Sequence, residues 1–97
     1  MKKYRTELLK KANNLITGNR AKDYGDAREN HQRIANIWSV ILGYDIKPEQ
    51  VVACMIGVKL ARLANTMKKE DTWVDIIWYG ALGGEFVKKK KRKKQSK

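Results

Sequence analysis

Three polar side chains sit where their neighbours are apolar: His31 between Ala27 and Ile34, Lys59 among Ile56, Leu60 and Leu63, and Asp75 ahead of Ile76 with Tyr79 one helical turn on. A Lys or an Asp taken out of water without a partner is costly, so each must pair, reach solvent or meet a ligand. Two arrangements meet that demand. In the first, Lys59 and Asp75 form a salt bridge while Arg62 snorkels outward along its aliphatic stem. In the second, Lys59 and Arg62, three residues apart and so on one helix face, make a two-cation edge for a phosphate. The Arg fork takes two oxygens there and the Lys is a movable point charge. Arg20, Lys22 and the segment up to Gly25 would close over the same anion. Asn30 and His31 would add amide and imidazole donors, and Tyr24, Tyr79 or Trp38 would stack on a base. His31 also reads as an ordinary core or rim histidine. With no second His in the chain and no usable Cys beside it, no metal site is expected.

The elements that must position these groups are helical. Tyr4, Leu8, Ala12, Leu15 and Ile16 recur at helical spacing ahead of Gly18, which predicts a helix over about 2–17. The polar segment 18–25 has a glycine at each end and no regular periodicity, and reads as a loop. Asp26-Ala-Arg-Glu29 has capping-box spacing and opens a second helix. Its apolar stripe is Ala27, His31, Ile34, Trp38 and Ile41, widened by Ile37 and Leu42 and stopped at Gly43. Pro48 presets the first turn of a third helix running to about Asn65, with Val52, Met55, Ile56, Lys59, Leu60 and Leu63 inward. Asp71 is the expected N-cap of a last helix carrying Trp73, Ile76, Ile77, Gly80, Ala81 and Gly84, whose small residues would let a neighbouring helix come close. No strand alternation or internal repeat competes. The fold class is therefore all-α, an antiparallel four-helix bundle, with a second copy expected to complete it as a homodimer or higher homo-oligomer.

Charge divides the chain unevenly. There are 22 Lys and Arg against 10 Asp and Glu, a formal net charge of +12. Eight of those cations lie in residues 88–97, which leaves 14 against 10 and only +4 for the rest. Lys88 to Lys94 is an unbroken cationic run that repels itself and cannot pack. The expected division is a helical domain at 1–87 and a disordered Lys-rich tail at 88–97, with Lys89, Lys90, Lys91, Arg92 and Lys93 as its contacts to nucleic acid. Such contacts would be salt-sensitive and blind to sequence, since no aromatic or Gly-rich element interrupts the run. A solvated tail that only aids solubility accounts for the same residues. Cys54, set among Val51, Val52, Ala53 and Met55, reads as a small buried hydrophobe. No apolar run follows Lys2 and Lys3, and no stretch approaches the roughly 18 uncharged residues of a membrane span. A cytoplasmic protein without a membrane partner is expected.

Several strings of the chain are distinctive and arrive in a fixed order. They are Asn19-Arg-Ala-Lys-Asp-Tyr-Gly-Asp26, Glu29-Asn-His-Gln-Arg-Ile-Ala-Asn-Ile-Trp-Ser39, Pro48-Glu-Gln-Val51, Met55, Lys59-Leu-Ala-Arg-Leu63 and Asp71-Thr-Trp-Val-Asp-Ile-Ile-Trp-Tyr-Gly-Ala-Leu-Gly-Gly-Glu85. Over about residues 13–86 they resemble a family of small phage and prophage proteins classed as a domain of unknown function, which implies the cytoplasm of a bacterial host. That family in turn resembles the MazG-type all-α nucleoside triphosphate pyrophosphohydrolases. The second resemblance implies a magnesium site of acidic pairs at three-residue spacing on two facing helices, one Glu-x-x-Glu and one Glu-x-x-Asp. The pairs that align here are Lys59/Arg62 and Thr72/Asp75, so one of four carboxylates remains. Two cations in place of two Glu should repel magnesium, which needs hard oxygens and charge compensation.

The resemblance and the charge together imply a pocket of the same shape with reversed charge. It is expected to hold a phosphorylated nucleotide or nucleotide-derived signal without cutting it and without a cofactor, through Arg20, Tyr24, Asn30, His31, Lys59, Arg62, Asp75 and Tyr79. A second reading, a divergent nucleotide pyrophosphohydrolase, keeps magnesium and relocates the site to Asp75 with Glu29 or Asp71. A third makes the helical body a dimerisation scaffold and gives nucleic-acid binding to the tail.

Overall fold

Leu8, Ala12 and Leu15 recur on one side of the first helix, α1 (Lys2–Thr17), and that side is the one turned inward, with Ala12 buried and the two leucines half-buried. The structure, a computed structural model, describes residues 2–17 and 26–95, with side chains at 3–17 and 26–88. The expected loop at 18–25, with Arg20, Lys22 and Tyr24, lies outside the described residues. α2 (Ala27–Leu42) starts where an Asp26 carboxylate oxygen accepts the Arg28 amide at 3.0 Å. It stops at Gly43, whose φ of 81° is left-handed and would strain any side chain. α3 (Pro48–Leu63) opens with its proline in the first turn and the Gln50 side-chain oxygen accepting the Lys47 amide at 2.7 Å.

α4 (Glu70–Gln95) departs from expectation at both ends. It begins at Glu70, so Asp71 lies inside the first turn instead of capping it, and both carboxylates face the positive end of the helix dipole. At the other end the backbone stays helical past residue 87 to Gln95. No Gly or Pro follows Gly84, and Lys, Arg and Gln are good helix formers. The side chains of Lys89, Lys90, Lys91, Arg92 and Lys93 lie outside the described ones.

The described residues hold four helices and no strand, an all-α fold. α4 packs on α3 and, across its other side, on α1; α2 packs on α3 and meets α4 only slightly. α1 touches α4 alone among the described helices. α2, α3 and α4 therefore meet one another, most loosely between α2 and α4, while α1 lies against α4 alone, an open arrangement in place of the closed bundle predicted. α1 has one neighbour and α2 one close neighbour, so the stripe each buries is narrower than a closed bundle would require. Ala35, Ile46 and Val51 form a buried cluster, flanked by Ile34, Trp38 and Met55, where α2 meets α3. Val52, Leu63, Val74 and Leu82 are buried along α3 and α4.

The narrower stripe explains the corrections. Ile37, Ile41 and Leu42, expected in the core, are each more than half exposed, as is Leu60 on α3. Cys54 is exposed, not buried, because α3 turns Val51 and Val52 inward and Cys54 away. Trp38 is half-buried against the α2–α3 cluster and is not among the residues lining the α3–α4 pocket. Gly80, Ala81 and Gly84 are also exposed. The close helix approach occurs at Gly83 instead, where an added Cβ would stand 3.2 Å from the Val52 Cγ1 methyl. No helix among the described residues is long and apolar enough to cross a membrane.

A candidate polar site between α3 and α4

Lys59 is on the side of α3 that faces α4, and its Nζ meets Asp75 Oδ2 at 3.0 Å with 12% and 23% of the two side chains exposed. This is the first of the two arrangements open at the sequence level. Arg62, one turn further, opens onto a pocket of 460 Å³ that it lines with Lys69, Asp71 and Asp75. Asn65, Thr66 and Thr72 complete the wall.

The turn from α3 to α4 sets this geometry. The Arg62 carbonyl accepts the amides of Asn65 and Thr66, each at 3.1 Å, and the Thr66 hydroxyl at 3.2 Å. The Lys69 amide then donates to the Thr66 carbonyl at 3.1 Å. Trp73 Nε1 donates to the Met67 carbonyl at 2.8 Å and ties the turn to α4. These local bonds set the course of the turn that brings Arg62 and Lys69 into one pocket lining with Asp71, Thr72 and Asp75 of α4.

On α2, facing Trp78 and Tyr79 of α4, His31 is buried and its Nδ1 donates to the Ala27 carbonyl at 2.8 Å. A carbonyl can only accept, so Nδ1 carries the proton in the neutral ring. The ring stands 6.2 Å from Trp78 and 6.0 Å from Tyr79, edge-on to the latter, while Trp78 and Tyr79 meet at 4.7 Å. An Arg28 to Glu85 ion pair at 3.6 Å adds a second tie between α2 and α4. His31 thus serves as a buried aromatic pin for α2.

A third polar cluster lies at the start of α4. The Tyr4 hydroxyl donates to Glu70 at 3.1 Å and Lys11 pairs with the other Glu70 oxygen. The hydrogen bond from Lys11, then that from Tyr4, holds the Glu70 carboxyl below its usual range. The same bonds to Glu70 raise the Tyr4 hydroxyl and the Lys11 ammonium.

Residues 7–87 match the family described as a domain of unknown function, DUF6378. The chain belongs to that family. The match takes in every pocket residue and stops ahead of the cationic run. The DUF6378 chain is 43% identical over 76 residues to the Gene 55 protein of Mycobacterium phage L5, a stretch covering 77% of this chain and 49% of the relative. It is 38% identical over 72 residues to the Gene 55 protein of Mycobacterium phage D29, covering 74% and 48%. The chain thus spans about half the length of these relatives. No solved structure matches it. The resemblance to phage proteins of unknown function agrees with these matches.

Of the site residues predicted for this DUF6378 chain, the structure brings Lys59, Arg62 and Asp75 to one place, and His31 and Tyr79 to another. Tyr79 follows Asp75 by one helical turn and joins the two. Asn30 is half-buried beside His31, away from the pocket wall, and Arg20 and Tyr24 lie outside the described residues. The sequence reading missed Asn65, Thr66 and Lys69 as lining residues, Asn65 having been read only as the end of the third helix. A helix start that follows a polar segment containing Lys69 was the available signal. It also missed Trp78 as the partner of His31 and the joint role of Tyr4, Lys11 and Glu70.

Proposed function

We propose that this DUF6378 protein binds a phosphorylated nucleotide or nucleotide-derived signal in the α3–α4 pocket. The observation that carries the reading is the charge of the pocket wall. With Asp75 engaged by Lys59, the wall presents two cations, Arg62 and Lys69, against one further carboxylate, Asp71. Phosphate oxygens fit the Arg62 fork and the Lys69 ammonium. Asp71 is an acceptor for ribose hydroxyls or a base amino group, and Thr66 and Thr72 bring hydroxyls. A volume of 460 Å³ lies within the about 300–1,000 Å³ usual for small-molecule pockets. Arg20 and Tyr24 stay in the proposed ligand set.

The resemblance to MazG-type enzymes supports the nucleotide class, while the donor set at the aligned positions does not fit magnesium. Of Lys59, Arg62, Thr72 and Asp75, Asp75 alone has a carboxylate, and the Lys59 ammonium stands 3.0 Å from its oxygen, where a cation would have to sit. Binding without metal-dependent cleavage follows from that chemistry.

Calorimetry of the full chain against mononucleotides and cyclic dinucleotides tests this. At least one ligand is expected to bind, and Arg62→Ala or Lys69→Ala should weaken it about 10-fold or more, the scale of one charge-assisted hydrogen bond. A panel without binding, or binding indifferent to both variants, refutes the proposal.

A further inference from the structure

Five large apolar side chains stand in solvent within eight residues at the end of α2 and in the turn after it. Ile37 is 58% exposed, Val40 83%, Ile41 72%, Leu42 53% and Tyr44 64%. Between Ile34 and Tyr44 there is no Asp, Glu, Lys or Arg, in a chain of which 33% is charged. Rotation of α2 cannot bury this face, because the helix is pinned in register. The Ser39 hydroxyl accepts the Ile46 amide at 2.8 Å and donates to the Ala35 carbonyl at 2.7 Å, and Gly43 closes the helix in its left-handed conformation. His31, Ala35 and Trp38 already hold the inward line.

We propose that this face docks a second copy of the chain across a two-fold axis. Charge leaves this face as the place where a copy can dock. A second copy carries the same net charge of +12 and is repelled wherever two cationic surfaces meet. Across the uncharged face two copies meet without a like-charged pair, and an apolar patch placed on a two-fold is complementary to itself. A nucleic acid or an acidic protein finds no charge there to recognise.

Area agrees. The five residues expose on the order of 600 Å², the upper end of the roughly 300–600 Å² of the largest apolar patch on a typical monomer. It matches the about 600 Å² that each partner buries in the smaller standard interfaces. The face adjoins the start of α3 and the nucleotide pocket its end, so the two proposals stand apart and fail separately.

Sedimentation equilibrium of the full chain decides the matter. At about 50 μM the protein is expected at twice its 11.2 kDa monomer mass. Val40→Lys and Ile41→Lys replace exposed side chains, so the helical circular dichroism should survive. Dimerisation should weaken about 100-fold or more, because each variant sets like charges against each other at the axis. Leu9→Lys, at an exposed position on α1, should leave the dimer intact. A monomer at that concentration, a dimer that withstands both α2 variants, or a dimer lost equally with Leu9→Lys overturns the proposal.

Discussion

An ion pair grips α4 on each of two sides, and the two are built differently. Toward α3, Lys59 and Asp75 keep only 12% and 23% of their side chains in solvent. Toward α1, Lys11 and Glu70 keep 55% and 30%, with Tyr4 as a third partner. A pair that has lost most of its water is weakly screened and leaves an expensive remnant when one member goes. A pair in water is weak, and salt and pH reach it freely. The packing around the pairs differs in the same sense. The α3–α4 seam closes at Gly83 against Val52, whereas α1 has α4 as its one neighbour among the described helices. The lasting body of the fold is α2, α3 and α4, with α1 attached on terms set by solution conditions.

Breaking the inner pair should give the largest effect. Asp75→Ala strands the Lys59 ammonium and should cost about 2 kcal/mol, below the roughly 3–5 kcal/mol of a fully buried pair because both groups still reach some water. Lys59→Met combined with Asp75→Leu should recover most of that loss, since it removes both charges and fills the seam. Urea denaturation measures each. If Asp75→Ala costs no more than Glu70→Ala, the two seams are alike and the comparison fails.

A smaller effect tests how tightly the inner seam is closed. Alanine gains about 0.8–1.0 kcal/mol over glycine in a helix interior. At Gly80 and Gly84 a Cβ meets nothing within 4 Å, so alanine should stabilise the chain by up to that amount. At Gly83 the same Cβ would come 3.2 Å from the Val52 Cγ1 methyl, and Val52, 1% exposed, would have to shift by a few tenths of an ångström inside a packed seam. Overpacking costs of about 1–3 kcal/mol outweigh the helix gain there. Thermal melts should therefore move in opposite directions for Gly83→Ala and Gly84→Ala, and a shared direction would mean a looser seam.

These contacts also mark what was legible in the sequence. Helix ends were legible because they are set by neighbours in the chain: the Asp26 carboxylate, the Gly43 backbone and the Pro48 ring each act within a few residues. Burial was legible only as a stripe. Ile34, Ile37 and Ile41 share the apolar period of α2, but which of them is covered depends on how closely other helices stand beside it, and this open arrangement covers fewer than a closed bundle. The apolar surroundings of Lys59 and Asp75 demanded a partner for each and left two arrangements open, of which the structure has the ion pair. That Asn65, Thr66 and Lys69 join Arg62 and Asp75 in lining one pocket did not follow, because they come to it through a turn whose course is set by backbone bonds and by Thr66 and Trp73. Tyr4 and Glu70, 66 residues apart, carry no local trace of each other.

The outer seam supplies the smallest and most conditional effect. Lys11 first and Tyr4 second hold the Glu70 carboxyl below its ordinary value of 4.5. A carboxyl so lowered binds fewer protons in the folded chain than in the unfolded one. Its contribution is therefore complete above that ordinary value and is lost as the pH falls through the lowered one. Tyr4 and Lys11 are raised from 10.0 and 10.5, so their contribution is complete below those values and is lost as the pH rises beyond them. α1 should be held most firmly on the plateau between, and should loosen at both ends. Hydrogen-exchange protection factors, compared at matched salt, should fall in α1 before α2, α3 or α4 on acidification. Glu70→Gln should remove the acid limb, because its amide no longer titrates. Protection of α1 that stays level into acid would mean that Ala12, buried against α4, holds the helix without help from the charges.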